Sequence, residues 1–195
     1  MRVLVIYSHP VETSFCAAMH TQVVANLRRA GHEVDDCDLY AEDFNPVLSR
    51  AERLGYHDIP ANRVPVERYV ERIEWAEALV FCFPTWCFGL PAMLKGFFDR
   101  VFVPGVAFDM SDPMNVKPAL THIRRIAAVV TYGRPRWTAF LMGDPPRKVM
   151  TRYLRLLTGG RAKVDYHAYY HMNVATRPKL ERFMDRVGLA MGKMA

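Results

Sequence analysis

The stretch MRVLVIYSHPVETSFCAAM, residues 1–19, decides how the chain is read. Arg2-Val3-Leu4-Val5-Ile6-Tyr7 is a short, nearly continuous apolar run, the pattern of a strand buried on both faces. From Ser14 the spacing changes. Phe15, Ala18, Met19, Val23, Ala25 and Leu27 recur at threes and fours until Gly31 closes the segment, so the strand passes into a helix through a short polar loop. With one basic residue and a brief apolar run ahead of Ser8-His9-Pro10, this start reads as a strand and not as a secretory leader.

The alternation continues down the chain. Glu33 to Tyr40 reads as a second strand, and residues 41–62, interrupted by Pro46, Gly55 and Pro60, as loop with one short helix. Val66 to Ala76 is helical. Ala78-Leu79-Val80-Phe81-Cys82-Phe83 is the most apolar strand candidate and stops at Pro84; Leu90 to Phe102 is the next helix. Arg125 to Thr131 is a fourth strand. A basic helical region, Thr138 to Leu157, is broken at Gly143-Asp144-Pro145-Pro146, and Ala162 to Met172 and Pro178 to Met194 supply a fifth strand and a last helix. Five strand–helix alternations, with no repeat or low-complexity linker, give an α/β protein: a parallel sheet with helices on both faces. Five strands suit the flavodoxin-like doubly wound order 2-1-3-4-5, in a single domain covering residues 1–195. In such a sheet a ligand lies at the carboxyl ends of the strands, which singles out residues 8–15, 84–89 and 131–137.

Composition narrows the class further. Of 195 residues 51% are apolar, enough to bury a core, which excludes a disordered chain. The 4 Cys (16, 37, 82 and 87) form no CxxC, which excludes a zinc ribbon or a thioredoxin-type redox pair and leaves free thiols. The longest uncharged stretch, Ala78 to Leu94, is broken by Pro84, Gly89 and Pro91 and is no membrane span; a soluble cytoplasmic protein is expected. The net charge of +6 is uneven, with ten Lys/Arg and one acid, Asp144, between Arg124 and Lys163. That bias suits a phosphate-bearing cofactor or another anionic partner, or else a solvated basic face. Nucleic acid is the weakest candidate, since no binding motif and no aromatic-plus-basic stripe on a strand accompanies the charge.

Each of the three loops carries its own chemistry. Ser8 to Phe15 leads into a helix N-terminus beside the hydroxyls of Thr13 and Ser14, suitable for an anion, although taken alone these residues are better explained by an ordinary N-cap, since many helices begin this way. Neither GxGxxG nor GxxxxGK[ST] is present. Phe83-Pro84-Thr85-Trp86-Cys87-Phe88-Gly89 is rigid and aromatic, fit either to line a flat conjugated ring or to pack under the following helix. Thr131-Tyr132-Gly133-Arg134-Pro135-Arg136-Trp137 places a close-approach glycine between potential charge-stabilising groups, with Tyr132, Arg134 and Arg136 as the candidate catalytic residues. No Ser/His/Asp or Cys/His triad is evident. His167 and His171, spaced to share a face of the fifth strand, are assigned no metal.

Three segments together resemble the flavodoxin-fold NAD(P)H:quinone reductase family, which includes DT-diaphorase, the modulators of drug activity and the potassium-efflux ancillary oxidoreductases. They are PTWCFGLPAMLKGFFDRVFVPGVAFDM (84–110), SHPVETSFCAAM (8–19) and DLYAEDFNPVLS (38–49). The resemblance implies a flavoprotein that passes two electrons from NAD(P)H to a quinone or similar acceptor in a ping-pong cycle. FAD is the expected cofactor, with FMN the alternative. It implies that His9, Thr13, Ser14 and Phe15 hold the phosphate and ribityl region, that Pro84, Thr85, Trp86, Cys87 and Phe88 line the isoalloxazine, and that Thr131, Tyr132, Gly133 and Arg134 clamp its pyrimidine side. It also implies a homodimer whose substrate pocket, at the interface, is formed by Phe88 and by Phe108 from the partner. Cys87 stands where the family has a large aromatic, Gly133-Arg134 replaces Gly-Gly, and the Tyr and His that steady the reduced flavin in animal enzymes fall at Arg136 and Met142. Arg134 or Arg136 is the expected substitute for that pair. A flavin-binding regulatory or electron-transfer partner with little turnover is the alternative function.

Overall fold

Alternation of side chains along each strand divides the core into two layers, one on each face of the central sheet. The computed structural model describes residues 1–194. Its strands are β1 (Arg2–Tyr7), β2 (Glu33–Asp38), β3 (Ala78–Pro84), β4 (Phe108–Asp109), β5 (Lys117–Pro118), β6 (Arg125–Thr131) and β7 (Lys163–Tyr169). The main sheet is parallel throughout in the order β2-β1-β3-β6-β7, so its five strands follow the doubly wound order 2-1-3-4-5. The pair β4 and β5 forms a separate antiparallel ribbon. Every residue of β3 is buried, as expected of the most apolar run in the central position.

The helices are α1 (Phe15–Arg29), α2 (Arg50–Leu54), α3 (Glu67–Trp75), α4 (Ala92–Val101), α5 (Arg136–Leu141), α6 (Pro145–Lys148), α7 (Leu154–Leu157) and α8 (Arg177–Gly192). A π-helical stretch, Val149–Tyr153, joins α6 to α7. Val3, Val5, Ala78, Val80 and Cys82 point to the layer under α1 and α8, where they meet Met19, Val23, Leu27, Phe183 and Val187. Leu4, Ile6, Leu79, Phe81 and Phe83 point to the other layer, against Val70, Ile73, Phe97, Met150 and Leu154 of α3, α4 and the α6–α7 rod. Full burial of a ring such as Phe97 contributes about 1.5–3 kcal/mol. The loop at residues 41–49 lies directly on α4 because residue 96 is glycine: a Cβ there would stand 2.1 Å from the Pro46 carbonyl oxygen. Among the described residues no helix is long and apolar enough to cross a membrane.

Of the boundaries that differ from the sequence reading, three show what sets them. The second strand stops at Asp38 instead of Tyr40, because the Asp38 carboxylate accepts the Tyr40 and Ala41 N–H groups at 3.0 and 3.1 Å and turns the chain. The helix expected from Thr138 starts at Arg136, with Pro135 as its N-cap. The fifth strand ends at Tyr169 instead of Met172. His171 takes a left-handed conformation, φ 64°, donates its N–H to the Arg134 carbonyl at 3.0 Å, and so does not share a strand face with His167.

Candidate functional site

Parallel register brings the three loops to one edge of the sheet. Tyr7 is level with Cys82, Pro84 with Thr131, and Thr131 with Tyr169, so the chain leaves β1, β3, β6 and β7 at the same end. The loops are also bonded to one another. Ser8 N–H donates to the Cys82 carbonyl at 3.0 Å, and the Thr85 N–H and hydroxyl both donate to the Thr131 carbonyl, at 2.8 and 3.1 Å. Tyr132 N–H donates to the Tyr169 carbonyl at 2.8 Å, and Met172 N–H to the Tyr132 carbonyl at 2.9 Å.

In the first loop Ser14 is the N-cap of α1, its hydroxyl accepting the Ala17 N–H at 3.1 Å. Phe15 and Cys16 follow it as the first helical residues, whose N–H groups have no carbonyl one turn back within the helix. That end of the helix carries the positive pole of its dipole. Thr13 is exposed beside it. His9 is half-buried, which holds its ring below the ordinary histidine value, and its Nδ1 accepts the Val11 N–H at 3.0 Å. Ser8 Oγ is fully buried and has no hydrogen-bond partner among the described residues.

The second loop makes a tight turn. Trp86 and Gly89 exchange two backbone hydrogen bonds, at 3.3 and 2.8 Å, across Cys87 and Phe88, both of which have positive φ (50° and 58°). Non-glycine residues in this region cost about 1–2 kcal/mol each. The turn holds Trp86 outward, 42% exposed and 5.8 Å from the His9 ring; Trp86 is therefore not the core residue that one reading of the sequence allowed. Cys87 is exposed and Phe88 half-buried.

In the third loop the side chain expected to be catalytic turns inward. Tyr132 is 1% exposed, its hydroxyl donates to Asp144 Oδ1 at 2.6 Å and meets the Tyr166 hydroxyl at 2.5 Å, and its ring stacks on Tyr170. Burial, and Tyr166 beside it, push the phenol far above its ordinary range, so it stays neutral. Its hydroxyl anchors the loop to the α5–α6 junction, while its backbone keeps the loop on β7. Arg134 and Arg136 are exposed, and neither pairs with a carboxylate among the described residues. Gly133 lies against Asn173, whose Oδ1 would be 3.3 Å from a Cβ at that position.

Two grooves flank the start of α1, and their charges differ. One, of about 440 Å³, is lined by His9, Glu12, His20, Asp38 and Tyr40 among others, a poor environment for phosphate. The other, of about 320 Å³, lies along α8 and is lined by Tyr169, Tyr170, Lys179, Arg182, Phe183 and Arg186. Phe15 borders it, with ring centroids 5.9 Å from Tyr169 and 6.4 Å from Phe183. This cationic and aromatic groove, built from the end of β7 and from α8, and Asn173 were missed in the sequence, where no motif marks them. Phe108 stands elsewhere, at a groove of about 460 Å³ with Tyr56, Leu90, Phe102 and Tyr153, and at an apolar one of about 320 Å³ with Val116 and Leu156. Neither of these two grooves includes Phe88.

Sheet order and clustered loops define a doubly wound α/β protein with its candidate site at the carboxyl ends of the strands. The chain belongs to the family described as having a flavodoxin-like fold, whose model matches residues 1–159. It is related to NAD(P)H:quinone oxidoreductases: NAD(P)H dehydrogenase (quinone) 1 of Rattus norvegicus is 37% identical over 123 residues, which cover 55% of this chain and 45% of that protein. The chain thus matches about half the length of such curated relatives. Among solved structures, Smu.1420 from Streptococcus mutans is 27% identical with a TM-score of 0.86, all of both chains being covered. An NAD(P)H:quinone oxidoreductase from Methanothermobacter marburgensis is 25% identical with a TM-score of 0.85, covering 100% of this chain and 99% of that one.

Proposed function

We propose that this chain is a flavin-dependent NAD(P)H oxidoreductase that passes two electrons to a quinone or similar acceptor. The observation that carries the reading is the meeting, at one sheet edge, of an open helix N-terminus, an outward aromatic turn and two exposed arginines. These residues fit a flavin. The N–H groups of Phe15 and Cys16, with Thr13 beside them, suit a phosphate. Trp86, Cys87 and Phe88 offer a flat wall for a ring, and the backbone of Thr131 to Arg134 offers polar groups for its edge. FAD is favoured over FMN because the α8 groove beyond Phe15 supplies cations for a second phosphate and aromatic walls for an adenine.

When bound, the flavin would supply two-electron transfer between NAD(P)H and the acceptor. The chain's own residues do the rest. Arg134 and Arg136 place fixed positive charge beside the loop, where negative charge is stabilised. Tyr132 keeps those arginines in place through Asp144 and Tyr166. Trp86 shields one side of the turn from water. Phe108 acts in the partner's pocket of a homodimer. Initial rates of NADPH oxidation at several fixed quinone concentrations test the reading. Parallel double-reciprocal lines are expected; no turnover with flavin added, or lines that intersect, would contradict it.

A further inference from the structure

One side chain reaches the candidate site from outside the three loops. β7 ends at Tyr169, and the left-handed His171, φ 64°, bends the chain so that the short turn Met172–Val174 folds back on the loop after β6. Two main-chain bonds hold it there: His171 N–H donates to the Arg134 carbonyl at 3.0 Å, and Met172 N–H to the Tyr132 carbonyl at 2.9 Å. Gly133 lies between those two acceptors, and Asn173 lies against it. A Cβ on Gly133 would stand 3.3 Å from Asn173 Oδ1 and 3.6 Å from Nδ2. The glycine thus leaves room for a carboxamide that the turn keeps in a fixed place.

That carboxamide is not spent on the fold. It makes no hydrogen bond among the described residues, and the backbone of its neighbours already holds the turn. It offers a donor and an acceptor side by side. Its direction matters as well. Main-chain N–H and C=O groups point within their peptide planes, whereas a Cβ stands out of them. A flavin whose edge meets the 131–134 backbone would therefore have Asn173 beside one face of the ring. A face is where a hydride donor has to lie for transfer. Of the two substrates, a quinone presents acceptors only. NAD(P)H presents the carboxamide of its nicotinamide, whose NH2 and carbonyl complement those of Asn173.

We propose that Asn173 is a specificity-determining residue whose carboxamide pairs with that of the nicotinamide in NAD(P)H. The inference rests on the flavoprotein reading and adds to it which substrate the turn after β7 recognises. The acceptor step needs no such contact, so the two half-reactions should respond differently to its loss.

The test is stopped-flow measurement of each half-reaction on FAD-loaded protein without oxygen, first with NADPH and then, on the reduced protein, with a quinone. Asn173→Ala should raise the Kd for NADPH about tenfold. The quinone rate constant, the Kd for FAD and the melting temperature should stay close to those of the parent, since the side chain is exposed. Tetrahydro-NADP, which transfers no hydride, should lose affinity by the same factor, so the effect is also read without turnover. The acetylpyridine analogue of NADPH lacks the NH2 group. It should bind the parent more weakly than NADPH does, and Asn173→Ala as tightly as NADPH does. An unchanged Kd for NADPH, or a quinone step slowed equally, overturns the proposal while leaving the flavin site standing. Weakened FAD binding also overturns it, since Asn173 would then be a flavin contact. Parent protein that takes up no flavin overturns the functional reading, and this proposal with it.

Discussion

The two ends of the central sheet are finished in opposite ways. At the amino end, Arg2, Glu77, Arg124 and Lys163 are joined in a closed series: Glu77 N–H donates to the Arg2 carbonyl, Arg124 N–H to that of Glu77, and Lys163 N–H to that of Arg124. The Glu77 carboxylate accepts the Arg2 N–H at 3.0 Å and pairs with Arg124 at 2.7 Å. At the carboxyl end, Ser8 Oγ is buried and Arg134 and Arg136 are exposed, none of them with a side-chain partner among the described residues, and Trp86 faces solvent. All five non-glycine residues of positive φ among those described, Asp43, Cys87, Phe88, Asp144 and His171, lie in segments that follow the carboxyl ends of main-sheet strands. At the amino end only Arg125 Nε is buried without a partner among the described residues; the carboxyl end holds several such atoms together with strain, features that persist where a ligand is received.

That contrast can be broken most forcefully at Tyr132. Tyr132→Phe removes the bonds to Asp144 and Tyr166 and should lower stability by about 2 kcal/mol, read as a reduced urea midpoint with unchanged slope. If the midpoint stays put, the loop is held by its backbone alone. Trp86→Ala should behave in the reverse manner: its stability stays within about 0.5 kcal/mol of the parent, while FAD binding weakens by about tenfold or more as a ring wall is lost. Equal binding by parent and variant would remove Trp86 from the site. Cys87→Gly relaxes a left-handed residue and should raise stability by about 1 kcal/mol, again by urea unfolding. A destabilised variant would show that the turn is not strained.

The smallest effect is expected at the amino end. Hydrogen bonding to the Arg2 N–H, together with the Arg124 and Arg2 charges, holds the Glu77 carboxyl below its ordinary range. A depressed folded-state value contributes stability that is present above the ordinary glutamate value and is lost as the pH falls through the depressed one. Glu77→Gln should therefore flatten the acid side of the stability profile slightly, and less so at high salt. An unchanged profile would mean that the ion pairs are screened out.

How much of this could be read in the sequence depended on which force set each feature. The β6 boundaries, Arg125–Thr131, coincide with the apolar run because burial alone defines that strand. Burial also gave the order of the layers, and topology then pointed to the three loops. Features set by one hydrogen bond or one backbone angle were not legible. Tyr169-Tyr170-His171-Met172 has strand-like composition throughout, and only the left-handed angle at His171 ends β7. Helix α2 was sensed without bounds, although its Ser49–Glu52 capping box is written in the sequence. The inward turn of Tyr132 had no local signal, because its partners Asp144 and Tyr166 are 12 and 34 residues away. Trp86 was ambiguous for the same reason: an aromatic before a helix can face either way until the turn that aims it is known.

The central claim, that the unfinished end of the sheet is a flavin site, is tested most directly by titrating the purified protein with FAD and then adding NADPH without oxygen, while following the visible absorbance. The account predicts saturable uptake, yellow protein, and bleaching by NADPH. Protein that takes up neither FAD nor FMN would contradict it, leaving the strained turn and the unpaired arginines with some other purpose.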